Sequence, residues 1–379
     1  MTYWHNVNDI PLLHMLLSNS PDSPLPPDAV DVILQMDRFS IATNFHLDAT
    51  HDSWRTSMIG DARDLGRLRN SVVALALAIA GLAITPIGAA TPQAYAAPGG
   101  AGFSFERGDG PIQQTWFEAQ ALSLAQPQTQ PMGANDPACR PTPARPFPIV
   151  LVPGLIETSY AVYSRMAPAL IADGACVFTF TSGYQYPGVP LAQTSSPYVF
   201  AATLSRFVDA VLEQTGAQKV DLLGYSQASI IGFYYIKHGG GAVNVHHYIG
   251  FDGTPWGTDN FGLSDEIDQR PLYPLAPFRE SYDPNGPFVQ EAIAGGLTVP
   301  SVSYTVIRER FVPLIAANGG EVHGPNVTMI RMEDVCAEDY SGHTGFPYND
   351  MAIRLVRNAF DPENAQQPVC HLTLPQPPF

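Results

Sequence analysis

Charge is scarce in this 379-residue chain, at 14% Asp, Glu, Lys and Arg, and positive charge is scarcest: 19 basic residues stand against 35 acidic ones, a formal net charge of -16. That balance gives no footprint for gripping a phosphate backbone and repels anionic surfaces, so nucleic acid is excluded as a partner. Cysteine is rarer still, with four residues. Long apolar runs are few, and the one from Val72 to Ile84 is the exception. What the chain does hold is 45% hydrophobic residues, enough for a large core as one domain plus extensions. It also holds 36 Pro and 32 Gly, clustered at the ends of apolar runs, which predicts a loop-rich globular fold.

The apolar run has the organisation of a secretory signal. A basic stretch (Arg63, Arg67, Arg69) precedes it, and Pro86 and the small-residue site Ala94-Tyr95-Ala96 follow, predicting cleavage after Ala96. The rival reading is a membrane span, because the run extends to Ala90, close to the roughly 18 to 20 residues a bilayer requires. Residues 1–57 precede Met58 and are set apart from the fold, as an upstream misreading of the start or as a cytoplasmic tail of an anchored protein. Residues 58–96 are then the signal or anchor. Residues 97–146, Gly-rich and then Gln- and Pro-rich, read as an extended surface arm, and residues 147–379 as the folded domain.

Within that domain short apolar runs recur at Ile149–Val152, Val177–Phe180, Val220–Leu223, Val245–Gly250, Ser303–Ile307 and Val327–Met332. Helical patterns lie between them, at Tyr198–Gln214, Ala228–Lys237 and Asn349–Asn358. The alternation predicts an α/β fold, a mostly parallel central sheet with helices on both faces. All four cysteines fall in the part expected to be exported, where disulfides persist. Of the three possible pairings, sequence proximity favours Cys139 with Cys176 and Cys336 with Cys370; buried free thiols are the alternative.

Val220 to Ser229 (VDLLGYSQAS) is a strand entering a tight turn and then a helix, with Ser226 at the apex, the pattern of a nucleophile elbow. Such a corner needs small residues two positions either side of the serine, here Gly224 and Ala228. It lifts the hydroxyl clear of the sheet and aims the Gln227 backbone N–H at a developing oxyanion. Outside this context the serine reads as a helix N-cap. A second oxyanion donor is expected from the loop after the first strand, Val152-Pro153-Gly154-Leu155, with the Leu155 N–H as candidate and a plain turn as the alternative. The general base is expected after the last strand, where His343 sits in the Gly-flanked loop Ser341-Gly342-His343-Thr344-Gly345.

Together Asn135-Asp136, Cys139-Arg140-Pro141, Pro148 to Gly154, the Ser226 elbow, Gly257-Thr258 and Ser341 to Leu355 resemble the secreted class 2 lipases, the triacylglycerol lipases common in actinobacteria. The resemblance covers roughly residues 133–365 and extends to the fungal lipase B type. It implies the α/β-hydrolase fold, ester hydrolysis by a Ser-His-acid triad, and no metal cofactor. The chain departs from the family pattern at Tyr225 and at Ala228-Ser229 in the elbow, at Pro153 where His is common, and at the acid. The family places an aspartate after the next-to-last strand, whereas here Tyr304 to Ile307 runs into Arg308-Glu309-Arg310.

Two residues compete for that role. Glu309 lies within a residue of the family position, and Asp252, in Gly250-Phe251-Asp252-Gly253-Thr254-Pro255, ends the preceding strand, where some vertebrate lipases carry their acid. The bland readings are a turn-former for Asp252 and a surface ion pair for Glu309. The long stretch at residues 259–300, rich in Pro and aromatics, reads as a lid over an acyl pocket helped by Tyr184, Tyr186, Tyr198 and Phe200, or as simple packing over the sheet. The expectation is thus a secreted, monomeric lipase or carboxylesterase acting on lipid esters, with contact to a lipid interface. The alternatives are a catalytically silent relative that binds cell-envelope lipids, and an acyltransferase built on the same acyl-enzyme.

Overall fold

The computed structural model of the chain describes residues 102–183, 191–258, 279–309 and 320–376. Six strands form one sheet in which every neighbouring pair is parallel: β1 (Ile149–Val152), β2 (Val177–Thr179), β3 (Val220–Tyr225), β4 (Val245–Phe251), β5 (Ser303–Arg308) and β6 (Val327–Arg331), in the order β2-β1-β3-β4-β5-β6. The six apolar runs of the sequence are these strands. Their side chains alternate between two cores. Val150, Val152, Leu222, Tyr304 and Val306 face one, while Ile149, Leu151, Leu223, Tyr225, Ile249 and Ile307 face the other. A strand covered on both sides must be apolar at every position, which is why these runs are continuous rather than alternating.

The main helices are α1 (Trp116–Ala125), α2 (Ser159–Tyr163), α3 (Met166–Ala172), α4 (Pro197–Thr215), α5 (Gln227–His238), α6 (Pro287–Ile293) and α7 (Asp350–Phe360). Residues of α4, α5 and α6 fill the first core, and residues of α2, α3 and α7 the second. Helix α7 starts at an Asn349 cap whose side chain accepts the Met351 and Ala352 amides, and buries Met351, Ala352, Leu355 and Val356 along one stripe. Helix α4 ends at Gly216 in the left-handed conformation, with φ +71°, the usual stop for a helix. The chain runs from β1 outward to β2 and then back past β1 to β3, so the strand order reverses between β1 and β3. In open parallel sheets the crevice at the carboxyl ends of the strands flanking such a reversal is where ligands bind.

The segment expected to be an extended arm contains α1 instead. Thr115 and Glu118 form a reciprocal capping box, and Trp116 and Ala119 are buried against Tyr160 and Tyr348, so burial and a good cap outweigh the Pro- and Gln-rich surroundings. Upstream, Phe103 and Phe105 pack edge-on against Phe178 and Phe207. Asn135 closes the edge of β2, its side chain giving 2.9 Å to the Thr179 carbonyl and taking 2.8 Å from the Thr179 amide. Two disulfides, Cys139–Cys176 and Cys336–Cys370, tie the arm to the start of β2 and the C-terminal tail to the stretch before His343.

Of the insertion at 259–300, residues 259–278 lie outside the described residues, as do Tyr184 and Tyr186. Its second part carries α6, whose Phe288 is fully buried, stacks on Tyr234 and meets Tyr198 edge-on. Phe200 lies in the core beside Phe180. Both phenylalanines pack over the sheet.

Candidate active site

Ser226 follows β3 directly and has φ +55° and ψ -122°, a conformation that L side chains rarely adopt. Surrounding contacts hold it there. Its amide donates 3.0 Å to the Phe251 carbonyl at the end of β4, and Gly224 lets the returning helix approach: a Cβ on Gly224 would stand 2.4 Å from the Ala228 carbonyl oxygen. Gln227 opens α5 immediately after the serine, where backbone amides have no partner within the helix. Leu155, half-buried, follows Gly154 beyond β1, and a Cβ on Gly154 would lie 2.8 Å from the Cβ of Ser226. The two loops thus converge on the serine with only a glycine between them.

His343 lies in a helical turn, Gly342–Gly345, after β6. Its Nε2 is 2.9 Å from Ser226 Oγ, and its Nδ1 is 2.6 Å from Asp252 Oδ2. A carboxylate can only accept, so the ring proton sits on Nδ1, and Nε2 is left to accept from the serine hydroxyl. Asp252, 2% exposed, stands at the tip of β4 with φ +46°. Its amide donates 2.8 Å to the Ile307 carbonyl and its Oδ1 accepts the Glu309 amide at 3.3 Å. The imidazole is further fixed by Tyr225, whose ring stacks on it at 4.9 Å and whose hydroxyl donates 2.7 Å to the His343 carbonyl.

Of the two competing acids, Asp252 meets the imidazole. Glu309 instead accepts the Gly342 amide at 3.1 Å through Oε2, and its Oε1 is buried without a partner. It is no surface ion pair: it is 3% exposed, and burial together with the adjacent Asp252 carboxyl raises it well above the usual carboxylate range. Two buried carboxyls this close do not both ionise readily, and Glu309 is the one kept neutral. The loop carrying His343 is also held by Asp339, which accepts the Ser341 hydroxyl at 2.7 Å and the Asn349 side chain.

Several residues at the site were not singled out from the sequence. Tyr282, buried, is hydrogen-bonded to Ser226. Glu157, three residues beyond Gly154, is 5% exposed; its Oε1 takes the Trp116 indole N–H at 2.6 Å, and burial pushes its carboxyl up to about 7. An acidic residue in an otherwise apolar loop was a visible signal for Glu157. Nothing in the sequence brings Tyr282 or Trp116 to the serine. Among the described residues no group of three or more His, Cys, Asp or Glu side chains is set to hold a metal ion.

Compared with known families, residues 148–244 match the alpha/beta hydrolase fold family, a span that runs from β1 to the start of β4 and includes Gly154, Leu155, Ser226 and Gln227. No curated protein matches the chain in sequence. Among solved structures the chain is similar to lipase B of Aspergillus fumigatus, at 15% identity over 94% of this chain and 86% of that one, with a TM-score of 0.49. It is also similar to the mature lipase BlEst2 of Bacillus licheniformis, at 19% identity over 59% of this chain and 96% of that one, with a TM-score of 0.38. An esterase of Exiguobacterium antarcticum is 16% identical over 53% of this chain and 86% of that one, with a TM-score of 0.35. These are distant likenesses. The matched segment, the parallel order β2-β1-β3-β4-β5-β6 and the helices on both faces establish that the chain has the α/β-hydrolase fold.

Proposed function

We propose that the protein is an exported carboxylic ester hydrolase of the lipase and carboxylesterase kind, working through an acyl-enzyme on Ser226. The observation that carries this reading is the unbroken chain Ser226 Oγ, His343 Nε2, His343 Nδ1, Asp252 Oδ2, with contacts of 2.9 and 2.6 Å, built on a serine in a strained turn. Ser226 attacks the ester carbonyl as His343 takes its proton. Asp252 keeps the imidazole in the right tautomer and stabilises the imidazolium. The Leu155 and Gln227 amides receive the oxyanion, each worth about 3 kcal/mol of transition-state stabilisation in such sites. His343 returns the proton to the leaving alcohol, and water then releases the acid by the same steps in reverse.

The silent lipid-binding alternative rests on the displaced acid and the altered elbow, and the Asp252 contact supports the active reading over it. Export is supported by the signal-like segment ahead of Ala97 and by the two disulfides. Among the described residues no helix is long and apolar enough to cross a membrane. The resemblance to secreted class 2 lipases supports lipid esters as substrates and a single-chain enzyme that meets its substrate at a lipid interface.

The test is turnover of p-nitrophenyl esters from short to long acyl chains by the protein from Ala97 onward, beside Ser226→Ala. Hydrolysis that vanishes in the variant is expected, with a long-chain optimum and a rate jump above the substrate's solubility limit marking a lipase over an esterase. A folded protein that turns over no ester contradicts the proposal, and transfer to an added alcohol in place of hydrolysis favours the acyltransferase.

A further inference from the structure

The reaction at Ser226 uses one carboxylate, Asp252, yet besides Glu309 a further buried carboxyl, that of Glu157, lies near the serine. Glu157 Oε2 and Ser226 Cβ both fall within 3.0 Å of the point where a Cβ on Gly154 would sit, so the carboxyl faces the nucleophile across that glycine. Glu157 also belongs to the loop whose Leu155 amide is assigned to the oxyanion. From this geometry, and resting on the hydrolase reading, we propose that Glu157 is a further functional residue of the site: its neutral carboxyl permits reaction at Ser226, and its carboxylate suppresses it.

The surroundings define what ionisation does. The indole N–H of Trp116 on α1 donates to Oε1. Tyr163 on α2, Tyr225 at the end of β3, Tyr282 and Tyr348 all face the carboxyl, and burial holds each of these phenols above its ordinary value, so they stay uncharged. Among the described residues, the charge that acts on Glu157 is that of His343, and no Lys or Arg enters among the groups acting on it. When Glu157 loses its proton to solvent, a negative charge appears beside the place where the oxyanion forms and opposes it through a poorly hydrated interior. That opposition slows acylation. Burial raises the carboxyl to about 7, so the loss of its proton falls near neutral pH, and the species with Glu157 uncharged gives way above it.

The experiment is kcat/KM against pH for a short p-nitrophenyl ester, corrected for spontaneous hydrolysis, with wild type, Glu157→Gln and Trp116→Phe. In Glu157→Gln the amide oxygen still accepts the Trp116 indole, which keeps the packing while removing the titration. Wild type is expected to give a bell, falling by about tenfold per pH unit on the alkaline side. Glu157→Gln is expected to rise to a plateau, so that its rate relative to wild type grows by at least about tenfold between roughly pH 6 and pH 9. Trp116→Phe removes a hydrogen bond that favours the carboxylate and is expected to move the alkaline limb to higher pH. If Glu157 only anchors Trp116, the Gln variant keeps the wild-type profile at a scaled height, and the inference is overturned while the hydrolase reading stands. A wild-type protein with no ester turnover at any pH overturns both.

Discussion

Replacing Asp252 by Asn preserves the shape of the side chain, and Asn tolerates the positive φ of +46° at this position as well as Asp does. What is lost is the negative charge 2.6 Å from His343 Nδ1. With charge centres about 4 Å apart and an effective dielectric near 20, that charge stabilises the imidazolium of the transition state by about 4 kcal/mol, or about a thousandfold in rate. Asn also offers no fixed preference for a protonated Nδ1, and in Ser-His-Asp enzymes loss of the right tautomer brings the total to about 10⁴ in kcat. The expected outcome for Asp252→Asn is therefore a fall in kcat of about 10³ to 10⁴ with KM changed by less than about threefold, since Asp252 touches the base and not the substrate. Glu309→Gln is expected to lose less than about tenfold, because an amide oxygen can still accept the Gly342 N–H. Steady-state kinetics on a p-nitrophenyl ester, with melting curves to show that both variants fold, make the comparison. If Glu309→Gln is the more damaging change, or Asp252→Asn stays within tenfold of wild type, the assignment of the acid to the end of β4 is wrong.

Gly154→Ala forces a methyl group to within 2.8 Å of Ser226 Cβ and 3.0 Å of Glu157 Oε2, and the resulting shift of the oxyanion loop is expected to cut kcat/KM by about 10² or more with the protein still folded. Removing the Cys336–Cys370 bridge, which closes 34 residues, is expected to cost about 3 to 4 kcal/mol in denaturant unfolding. Activity is expected to drop alongside, because the tail it anchors reaches the His343 loop through Gln376, whose amide donates to the Ser341 carbonyl. Glu157 carries its proton to higher pH folded than unfolded, so the folded state binds more protons and stability falls as pH rises from about 4.5 to about 7. That is worth about 3 kcal/mol, present in full above the upper value, and Glu157→Gln is expected to flatten the melting temperature across this window.

Most of the framework was legible in the sequence because a doubly covered parallel sheet demands continuous apolar runs, and all six appear at their positions. The convergence of Ser226 and His343 was legible because loops at the carboxyl ends of strands carry the reactive groups of such sheets, and the order of those loops along the chain is fixed; the oxyanion roles of Leu155 and Gln227 belong to the proposal. The acid was ambiguous for a physical reason. Asp252 and Glu309 end adjacent strands, β4 and β5, and are joined by a hydrogen bond from the Glu309 amide, so either lies near the imidazole and only side-chain direction separates them. Helix α1 was missed because its composition suggests an arm, whereas burial of Trp116 against Tyr160 and Tyr348 decides its structure. Glu157 left a signal, an acidic residue in an apolar loop beside the expected oxyanion donor, but Tyr282 reaches the serine through tertiary packing from about 56 residues away along the chain, a relation that no local pattern encodes.

The claim that Ser226 is the nucleophile of a competent triad is tested most directly by covalent labelling with a fluorophosphonate, read by intact mass and by mapping the modified peptide. Wild type is expected to gain one phosphonyl group, on Ser226, with Ser226→Ala unlabelled and Asp252→Asn labelled far more slowly. An unlabelled wild type in a folded sample, or a label on another residue, contradicts the account.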